Sequence, residues 1–325
     1  FHFPEVKTLL VEQVMESAGR QGAAAEVQDI VFEPWFFYVP GEIYVEHGQQ
    51  YDYYSSYKYQ LSPTVKFGKE DRIAMPMANI SNRYLLSQMG FFNPFATDYI
   101  LNIYSYLLHW LKHYAFSRRS LIVNWLWGSM VVLAGLLRTK KKLRKTPKNY
   151  DLLLNEVQRK NKLSDGQLKE LLDLQSEPIT NRLFRMVREF WIDRLILSSL
   201  MIGGTIALAL VPIPLWIKLM VPLSSFPLAF VLYELMAEGD SVFTIETKIP
   251  RIAAKIATIL DVPLVVFGHT HVPRLLPLSK KSVFVDSGTW APITDRKRNL
   301  LPGYRNYATV SYRSGESQIA FRSHK

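Results

Sequence analysis

Helical and strand-like patterns alternate over the first sixty residues. Residues 5–20 repeat apolar side chains at the spacing of one helix face, which predicts an amphipathic helix. Residues 30–38 are rich in aromatic and β-branched side chains and predict a strand. After a Pro-Gly turn, a second short strand is predicted at 43–45. It runs directly into a Glu-His-Gly triplet at 46–48, so a histidine follows the end of a strand.

Apolar segments dominate the middle of the chain. Residues 98–116 predict a helix rich in Tyr, Leu and Trp, and residues 120–137 carry no charge before a basic run at 138–145. Residues 148–190 are polar with helical periodicity and predict a solvated helical hairpin. A long apolar stretch follows at 195–236, interrupted by prolines and one lysine in its middle.

The soluble pattern returns near the C-terminus. Residues 250–260 predict an amphipathic helix, and 263–267 predict a short apolar strand that ends in Gly268-His269-Thr270-His271. A further buried strand at 283–285 leads into Asp286-Ser287-Gly288. Two alternating segments, 307–312 and 318–322, predict a hairpin around Ser314-Gly315.

A bilayer needs roughly 20 apolar residues per helical crossing, so 195–236 is long enough for two crossings. His47 and His269 can share a site only if an even number of crossings separates them. Basic residues favour the cytoplasmic side. We therefore predict a hairpin at about 195–236 with its short turn outside, while 120–137 is re-entrant or lies in the interface. The alternative is that these stretches form the buried core of a large soluble insert.

These patterns predict three parts. Residues 1–65 and 243–325 form one interrupted soluble domain, and residues 66–242 form a helical insert with membrane segments at about 120–137 and 195–236. The net charge of +11 suggests a partner of negative charge. Because the basic run 138–145 lies beside apolar segments, we expect it to bind anionic lipid head groups. Nucleic acid is not an expected partner, since the charge lacks a soluble face with stacking aromatic residues.

Composition limits the chemistry of any site. The 325 residues are 48% hydrophobic, which is enough for one large or two ordinary domains. The chain has no cysteine, so a transition-metal site must use His, Asp, Glu or Asn. His47, His269 and His271 each follow the end of a predicted strand. The sequence therefore predicts an N/O metal site at the edge of a sheet. The chain starts with Phe1, and we expect it to be part of a longer or processed protein.

Three segments carry a specific resemblance: EHGQQYD at 46–52, VVFGHTHVP at 265–273 and VDSGTW at 285–290. They resemble the last motifs of the calcineurin-like metallophosphoesterases. The resemblance implies an α+β fold, a β-sandwich with flanking helices, here partial and interrupted by the insert. It implies hydrolysis of a phosphomonoester or phosphodiester by a hydroxide that two divalent ions (Mn, Fe or Zn) activate. His47 and His269 would then ligate one ion and His271 the other.

The sequence also departs from the family pattern. It lacks the Asp-x-His, Gly-Asp-x-x-Asp and Gly-Asn-His motifs; the nearest lookalike, Gly239-Asp240, has Phe243 where the second aspartate should stand. We expect the missing motifs upstream of Phe1. The general-acid histidine belongs to one of them, so no catalytic residue is predicted here, and the fragment alone should bind metal weakly and hydrolyse little.

Other polar residues are candidates for supporting roles. Asp52 either orients His47 or a substrate group or is a surface residue, and Asp286 is expected to fix the loop under the site. Arg83 is a candidate phosphate contact, although a solvated arginine is the simpler interpretation. His109 and His113 have a spacing that can bind metal, but no carboxylate accompanies them, and membrane-interface anchoring is preferred.

Two functional hypotheses follow. The first is a metal-dependent phosphoesterase at the cytoplasmic face of the cell membrane, acting on a phosphoester that is lipid-linked or soluble. The second is a non-catalytic membrane scaffold or transport-associated protein on a degenerate phosphoesterase fold, favoured by the absent ligands. The upstream sequence discriminates between them.

Overall fold

The computed structural model describes residues 2–20, 22, 30–84, 121–143, 146–190, 192–236, 245–288, 306–313 and 316–323. The chain divides into two compact units. The first comprises Phe1–Pro178 and Glu246–Lys325, and the second comprises Ile179–Ile245. The predicted insert at 66–242 spans parts of both units. The helix predicted at 98–116 lies outside the described residues.

The described elements are mixed α and β, as predicted. In chain order the helices are α1 (Pro4–Arg20), α2 (Met77–Tyr84), α3 (Leu121–Lys142), α4 (Tyr150–Lys160), α5 (Asp165–Asp173), α6 (Leu183–Glu189), α7 (Ile192–Leu210), α8 (Leu215–Met236) and α9 (Ile245–Leu260). The strands are β1 (Phe36–Val39), β2 (Ile43–Glu46), β3 (Thr64–Phe67), β4 (Glu70–Ile73), β5 (Leu264–Phe267), β6 (Arg274–Pro277), β7 (Val283–Asp286), β8 (Asn306–Arg313) and β9 (Glu316–Ser323).

Most predicted elements are present with shifted ends. The amphipathic helix at 5–20 is α1, and the predicted hairpin around residue 314 is the pair β8–β9. The strand predicted at 30–38 is shorter, because β1 begins only at Phe36. Pro34 accounts for this, since it has no N–H to donate to a strand ladder. The helix predicted at 250–260 begins earlier, at Ile245, with Pro250 inside it.

The sheet that organises the first unit has five strands in the order β1-β2-β5-β7-β6. The three central strands β2, β5 and β7 run parallel, and the outer strands β1 and β6 pair antiparallel with them. Two separate two-stranded hairpins, β3–β4 and β8–β9, complete the described strands. Parallel neighbours end at the same sheet edge, so residues that follow β2, β5 and β7 come together.

An aromatic cluster anchors β5 in the core. The Phe267 ring stacks on Tyr51 with centroids 5.5 Å apart, and it meets Tyr44 and Phe284 edge-on at 6.5 and 5.5 Å. All four side chains are essentially inaccessible to solvent. This cluster lies directly beneath the residues that follow β5.

Replacing Phe267 by alanine is expected to destabilise the first unit by about 3–5 kcal/mol, because the large cavity removes contacts on several sides. Thermal unfolding followed by circular dichroism measures the change. Phe37, a neighbouring strand phenylalanine that is 46% exposed, is the matched control. Phe37→Ala should cost much less, and equal losses for the two variants would contradict the assignment of Phe267 to the core.

The second unit contains the two predicted apolar helices. By length and composition, Ile192–Leu210 and Leu215–Tyr233 can each cross a membrane, and neither window contains a buried residue in the described structure. Residues 211–214 connect α7 to α8 and contain two prolines. The lysine inside the apolar stretch, Lys218, donates through Nζ to the Ala209 carbonyl at 2.7 Å. Its charge therefore meets an unpaired carbonyl near the end of α7.

Candidate functional site

The parallel register brings two predicted site residues together across 222 positions of sequence. Val45 of β2 pairs with Val266 of β5, so His47 lies beside Gly268 just past the strand ends. The main chain confirms this, because the His47 carbonyl accepts from the N–H groups of Gly268 and His269 at 3.3 and 2.9 Å. The imidazole rings of His47 and His269 meet edge-on with centroids 5.4 Å apart.

Two glycines, Gly48 and Gly268, lie where the two chain segments approach each other. Gly48 has φ +93°, a left-handed conformation that favours glycine, and a Cβ there would lie 3.4 Å from the Phe267 ring and 3.5 Å from His269 Cβ. At Gly268 a Cβ would lie 3.4 Å from Ser287 Oγ and 3.6 Å from His47 Nδ1. The left-handed backbone therefore favours glycine at position 48, whereas a Cβ at position 268 would make only ordinary van der Waals contacts.

Asp52 is brought back to the strand edge by the single 3₁₀ turn Gln49–Tyr51. Its Oδ2 lies 3.0 Å from Nε2 of His269, and both side chains are largely buried. The Ser55 hydroxyl donates to Oδ2 at 2.8 Å, and the Tyr54 N–H donates to Oδ1 at 3.0 Å. The prediction that Asp52 orients His47 is therefore wrong. The Asp52 carboxylate contacts His269 instead.

The charge state of Asp52 follows from these bonds. Burial raises the pKa of Asp52, but the hydrogen bond and positive charge of His269, with the donors from Tyr54 and Ser55, bring the pKa below its ordinary value. Asp52 is thus an anion at neutral pH. A carboxylate anion facing Nε2 favours the tautomer with the proton on that nitrogen and leaves Nδ1 with its lone pair.

The loop after His269 is tied to β7. Thr270 donates through Oγ1 to Asp286 Oδ2 at 2.5 Å, and Gly288 donates its N–H to Asp286 Oδ1 at 3.0 Å. Burial raises the pKa of Asp286, which is fully buried, while the bonds from Thr270 and Gly288 oppose that rise. Asp286 fixes the loop, in agreement with the sequence prediction.

His271 ends the same turn in a left-handed conformation, with φ +61°. Its N–H donates to the Gly268 carbonyl at 3.3 Å. A left-handed histidine is uncommon and costs of order 1 kcal/mol or more. Such strain is frequent at ligand-binding turns.

Electrostatics keep His47 neutral. Displacement of water by nearby protein atoms lowers the pKa of His47 to about 4, and positive charge on His269 and His271 lowers it in the same direction, although the residue keeps an exposed surface. The His47 ring therefore has an imidazole lone pair available throughout the physiological pH range.

A buried carboxyl group lies immediately before His47. Glu46 is 5% exposed, and the hydroxyls of Tyr44 and Tyr51 both donate to its Oε2, at 2.5 and 2.7 Å. Burial raises the pKa of Glu46 to about 7, although the two hydroxyl donors oppose the rise. The sequence pattern did not single out this network, because a glutamate at a strand end gives no sign of its burial.

Glu46→Gln is expected to change how stability depends on pH. The folded pKa of about 7 lies above the ordinary 4.5, so the wild type loses stability as pH rises from 4.5 to 7. Glutamine does not titrate. Over that pH window the free energy of unfolding of the variant should therefore rise relative to that of the wild type, by up to about 3 kcal/mol. Thermal unfolding at pH 5 and pH 8 measures the gain. Glu70→Gln, at an exposed glutamate, should show none, and a parallel pH dependence of Glu46→Gln and wild type would contradict the burial argument.

The remaining sequence candidates lie elsewhere. Arg83 is in the last turn of α2, with its guanidinium 5.7 Å from the Tyr84 ring centroid. Its role as a phosphate contact stays a prediction. His109 and His113 fall outside the described residues.

The donor chemistry of the strand edge fits a divalent metal, but the set is incomplete. His47 is neutral, and Asp52 supports His269 in the way carboxylates support metal-binding histidines. In the part of the chain that the structure describes, no group of three or more His, Asp or Glu side chains is close enough to hold an ion. Any complete site therefore requires rotation of these rings, further ligands, or both.

None of the family models, curated protein sequences or solved structures compared with the chain matches it. The identity of the site therefore depends on the geometry and chemistry of its own residues.

Proposed function

We propose that the chain is part of a metal-dependent phosphoesterase at a membrane surface. The observation that supports it best is the Asp52–His269 pair beside His47, at the edge formed by parallel strands. A ligating histidine usually gives its second N–H to a carboxylate or carbonyl, and this arrangement leaves the other nitrogen for metal. The carboxylate of Asp52 thus holds one of two adjacent imidazoles, of which His269 is largely buried and His47 is exposed.

The residues then have distinct roles. His269 would bind metal through Nδ1, because Asp52 occupies Nε2. His47 would contribute its neutral ring to the same ion and His271 would serve a second ion. Asp52 positions His269, and Asp286 with Thr270 holds the turn that carries both His269 and His271. When bound, divalent ions supply Lewis acidity toward phosphoryl oxygens and acidify water.

The same proposal assigns the fold as part of a metallophosphoesterase β-sandwich. A metallophosphoesterase sandwich requires further strands and carboxylate ligands beyond the five-stranded sheet. We propose that the motifs Asp-x-His, Gly-Asp-x-x-Asp and Gly-Asn-His, which are absent from the chain, precede Phe1 in the intact protein.

The proposed location is the cytoplasmic face of the cell membrane. Its support is the apolar pair α7 and α8, together with the arginines that precede α7. Arg182, Arg185, Arg188 and Arg194 lie near the start of α7, whereas Lys218 is the charged residue near the turn. Under the positive-inside tendency, the start of α7 faces the cytoplasm. A phosphoester substrate, soluble or lipid-linked, would be reached from that side.

The non-catalytic alternative has its own supporting observation. The described residues contain no complete metal-binding group. A membrane scaffold on a phosphoesterase-like sheet would retain the core of Phe267 and its neighbours without needing the missing ligands.

The discriminating experiment uses a chain extended upstream of Phe1 to include the preceding reading frame. With Mn²⁺, the phosphoesterase proposal expects hydrolysis of a chromogenic phosphodiester or monoester. The phosphoesterase proposal is rejected in favour of the scaffold alternative if the upstream reading frame encodes none of the three ligand motifs and the extended protein hydrolyses neither ester.

A further inference from the structure

Helix α3 has two different faces along its length. One face is buried and includes Ser129, Val132, Leu136 and Thr139. The opposite face repeats at three- and four-residue spacing and carries Trp127, Met130, Ala134 and Leu137. Trp127 is 73% exposed, Met130 59% and Leu137 40%. An exposed tryptophan, methionine and leucine on one stripe are costly in water, so this stripe requires a covering surface.

The buried face of α3 packs within the first unit, against α2 and β3. Leu143, just past the helix, packs with Val65 and Ala74, and its carbonyl accepts from Lys58 Nζ at 3.0 Å. These contacts attach the C-terminal end of α3 to the β3–β4 hairpin. Because the C-terminal end of α3 is held against this hairpin, the contacts favour an interfacial position of the helix over a bilayer crossing. The sequence alternative of an interfacial position for 120–137 agrees with this geometry.

The basic residues at the end of α3 divide into two sets. Lys142 is exposed but engaged by protein, since its Nζ lies 3.7 Å from the centroid of the Phe67 ring and contacts the Lys66 carbonyl. Arg138 and Lys141 are exposed. Lys141 continues the apolar stripe, four residues after Leu137, and Arg138 lies four residues after Ala134. The exposed stripe is therefore apolar along its length and cationic at its C-terminal end.

We propose that this stripe lies in the surface of an anionic lipid bilayer. Trp127, Met130 and Leu137 enter the boundary between head groups and acyl chains, while Arg138 and Lys141 contact lipid phosphates. Tryptophan is favoured at that depth, and an apolar face flanked by Lys and Arg is the pattern of an interfacial helix. The inference deepens the proposed membrane location and does not depend on the proposed hydrolysis.

Charge complementarity selects lipid as the occupant. A protein partner would also cover apolar side chains. The cationic end of the stripe, however, requires only negative charge and has no shape or pattern that would select a particular protein surface. The chain already contains two helices able to enter a bilayer, so an anionic membrane is the negatively charged surface that this chain meets.

Spin-label depth measurements test the proposal in the full chain. The protein has no cysteine, so Trp127→Cys and Met130→Cys each provide a unique labelling position. The purified chain is reconstituted in vesicles of phosphatidylglycerol and phosphatidylcholine. We expect both labels to be more accessible to oxygen than to a water-soluble nickel chelate. Leu152→Cys, at a 67% exposed leucine of α4, is the control and should favour the chelate.

Each other outcome overturns the proposal. Labels at 127 and 130 that favour the nickel chelate would place the stripe in water. Labels inaccessible to both reagents would place it against protein, including a second copy of the chain. The double variant Arg138→Glu with Lys141→Glu should reduce the oxygen accessibility of both labels. If the oxygen accessibility is unchanged in this variant, anionic lipid is not the binding partner. Hydrolysis is not measured, so failure here is distinct from failure of the phosphoesterase assignment.

Discussion

His269→Ala, introduced into a chain extended upstream of Phe1, is expected to lower Mn²⁺-dependent ester hydrolysis by more than about 100-fold. Losing the carboxylate that supports a ligating histidine alone costs roughly 10–100-fold in metal affinity or activity, and losing the ligand should cost more. Initial rates on a chromogenic phosphodiester, measured across Mn²⁺ concentrations, give both the activity and the apparent metal affinity.

Asp52→Asn is expected to have a smaller effect on hydrolysis than His269→Ala. The amide keeps the size of the side chain but removes the negative charge opposite His269 Nε2. An intermediate loss, partly restored by higher Mn²⁺, is expected if Asp52 acts by holding His269. His2→Ala, at an exposed histidine, is the matched control and should hydrolyse at the wild-type rate. Full activity in His269→Ala would remove this residue from the site.

Two arginines placed in the apolar helices are expected to release the chain from membranes. Leu200 of α7 and Leu223 of α8 are each 69% exposed and lie well inside their helices. An arginine at the centre of a membrane-spanning helix costs about 2.5–3.5 kcal/mol, so Leu200→Arg with Leu223→Arg should lower the equilibrium constant for insertion by several orders of magnitude. Extraction of cell membranes with alkaline carbonate measures the fraction that remains in the pellet.

The control places the same charges in the first unit. Val31 and Leu152 are 68% and 67% exposed, and Val31→Arg with Leu152→Arg should leave the chain in the membrane pellet. If the wild-type chain itself is released by carbonate, α7 and α8 do not span a membrane and the soluble-insert interpretation is preferred.

Local patterns predicted the elements that carry the site. The strands that precede His47 and His269 were readable because short apolar runs end in glycine-containing turns, and the long apolar stretch at 195–236 predicted α7 and α8. The distance between His47 and His269 could only be hypothesised. Their proximity depends on the parallel pairing of β2 with β5, a contact between strands more than 200 residues apart.

Other features had no local signal. Asp52 faces His269 because a left-handed Gly48 and one 3₁₀ turn reverse the chain, and sequence alone did not indicate which histidine it would meet. The burial of Glu46 depends on Tyr44 and Tyr51 meeting over its carboxyl group. The two faces of α3 were hidden because residues 121–137 carry no charge on any side. Only its packing, mainly against α2 and partly against β3, shows which side is covered.

The participation of His47, His269 and His271 in one two-ion site can be measured directly by histidine ¹⁵N NMR of the chain extended upstream of Phe1, during titration with Zn²⁺. Residues 1–325 contribute seven histidines, and each of these imidazoles can be assigned by single substitution. We expect the ring nitrogens of these three histidines to shift together, with metal at Nδ1 of His269 and a proton retained on its Nε2. Unchanged resonances for these three at saturating Zn²⁺, or shifts confined to other histidines, would contradict the proposed metal site.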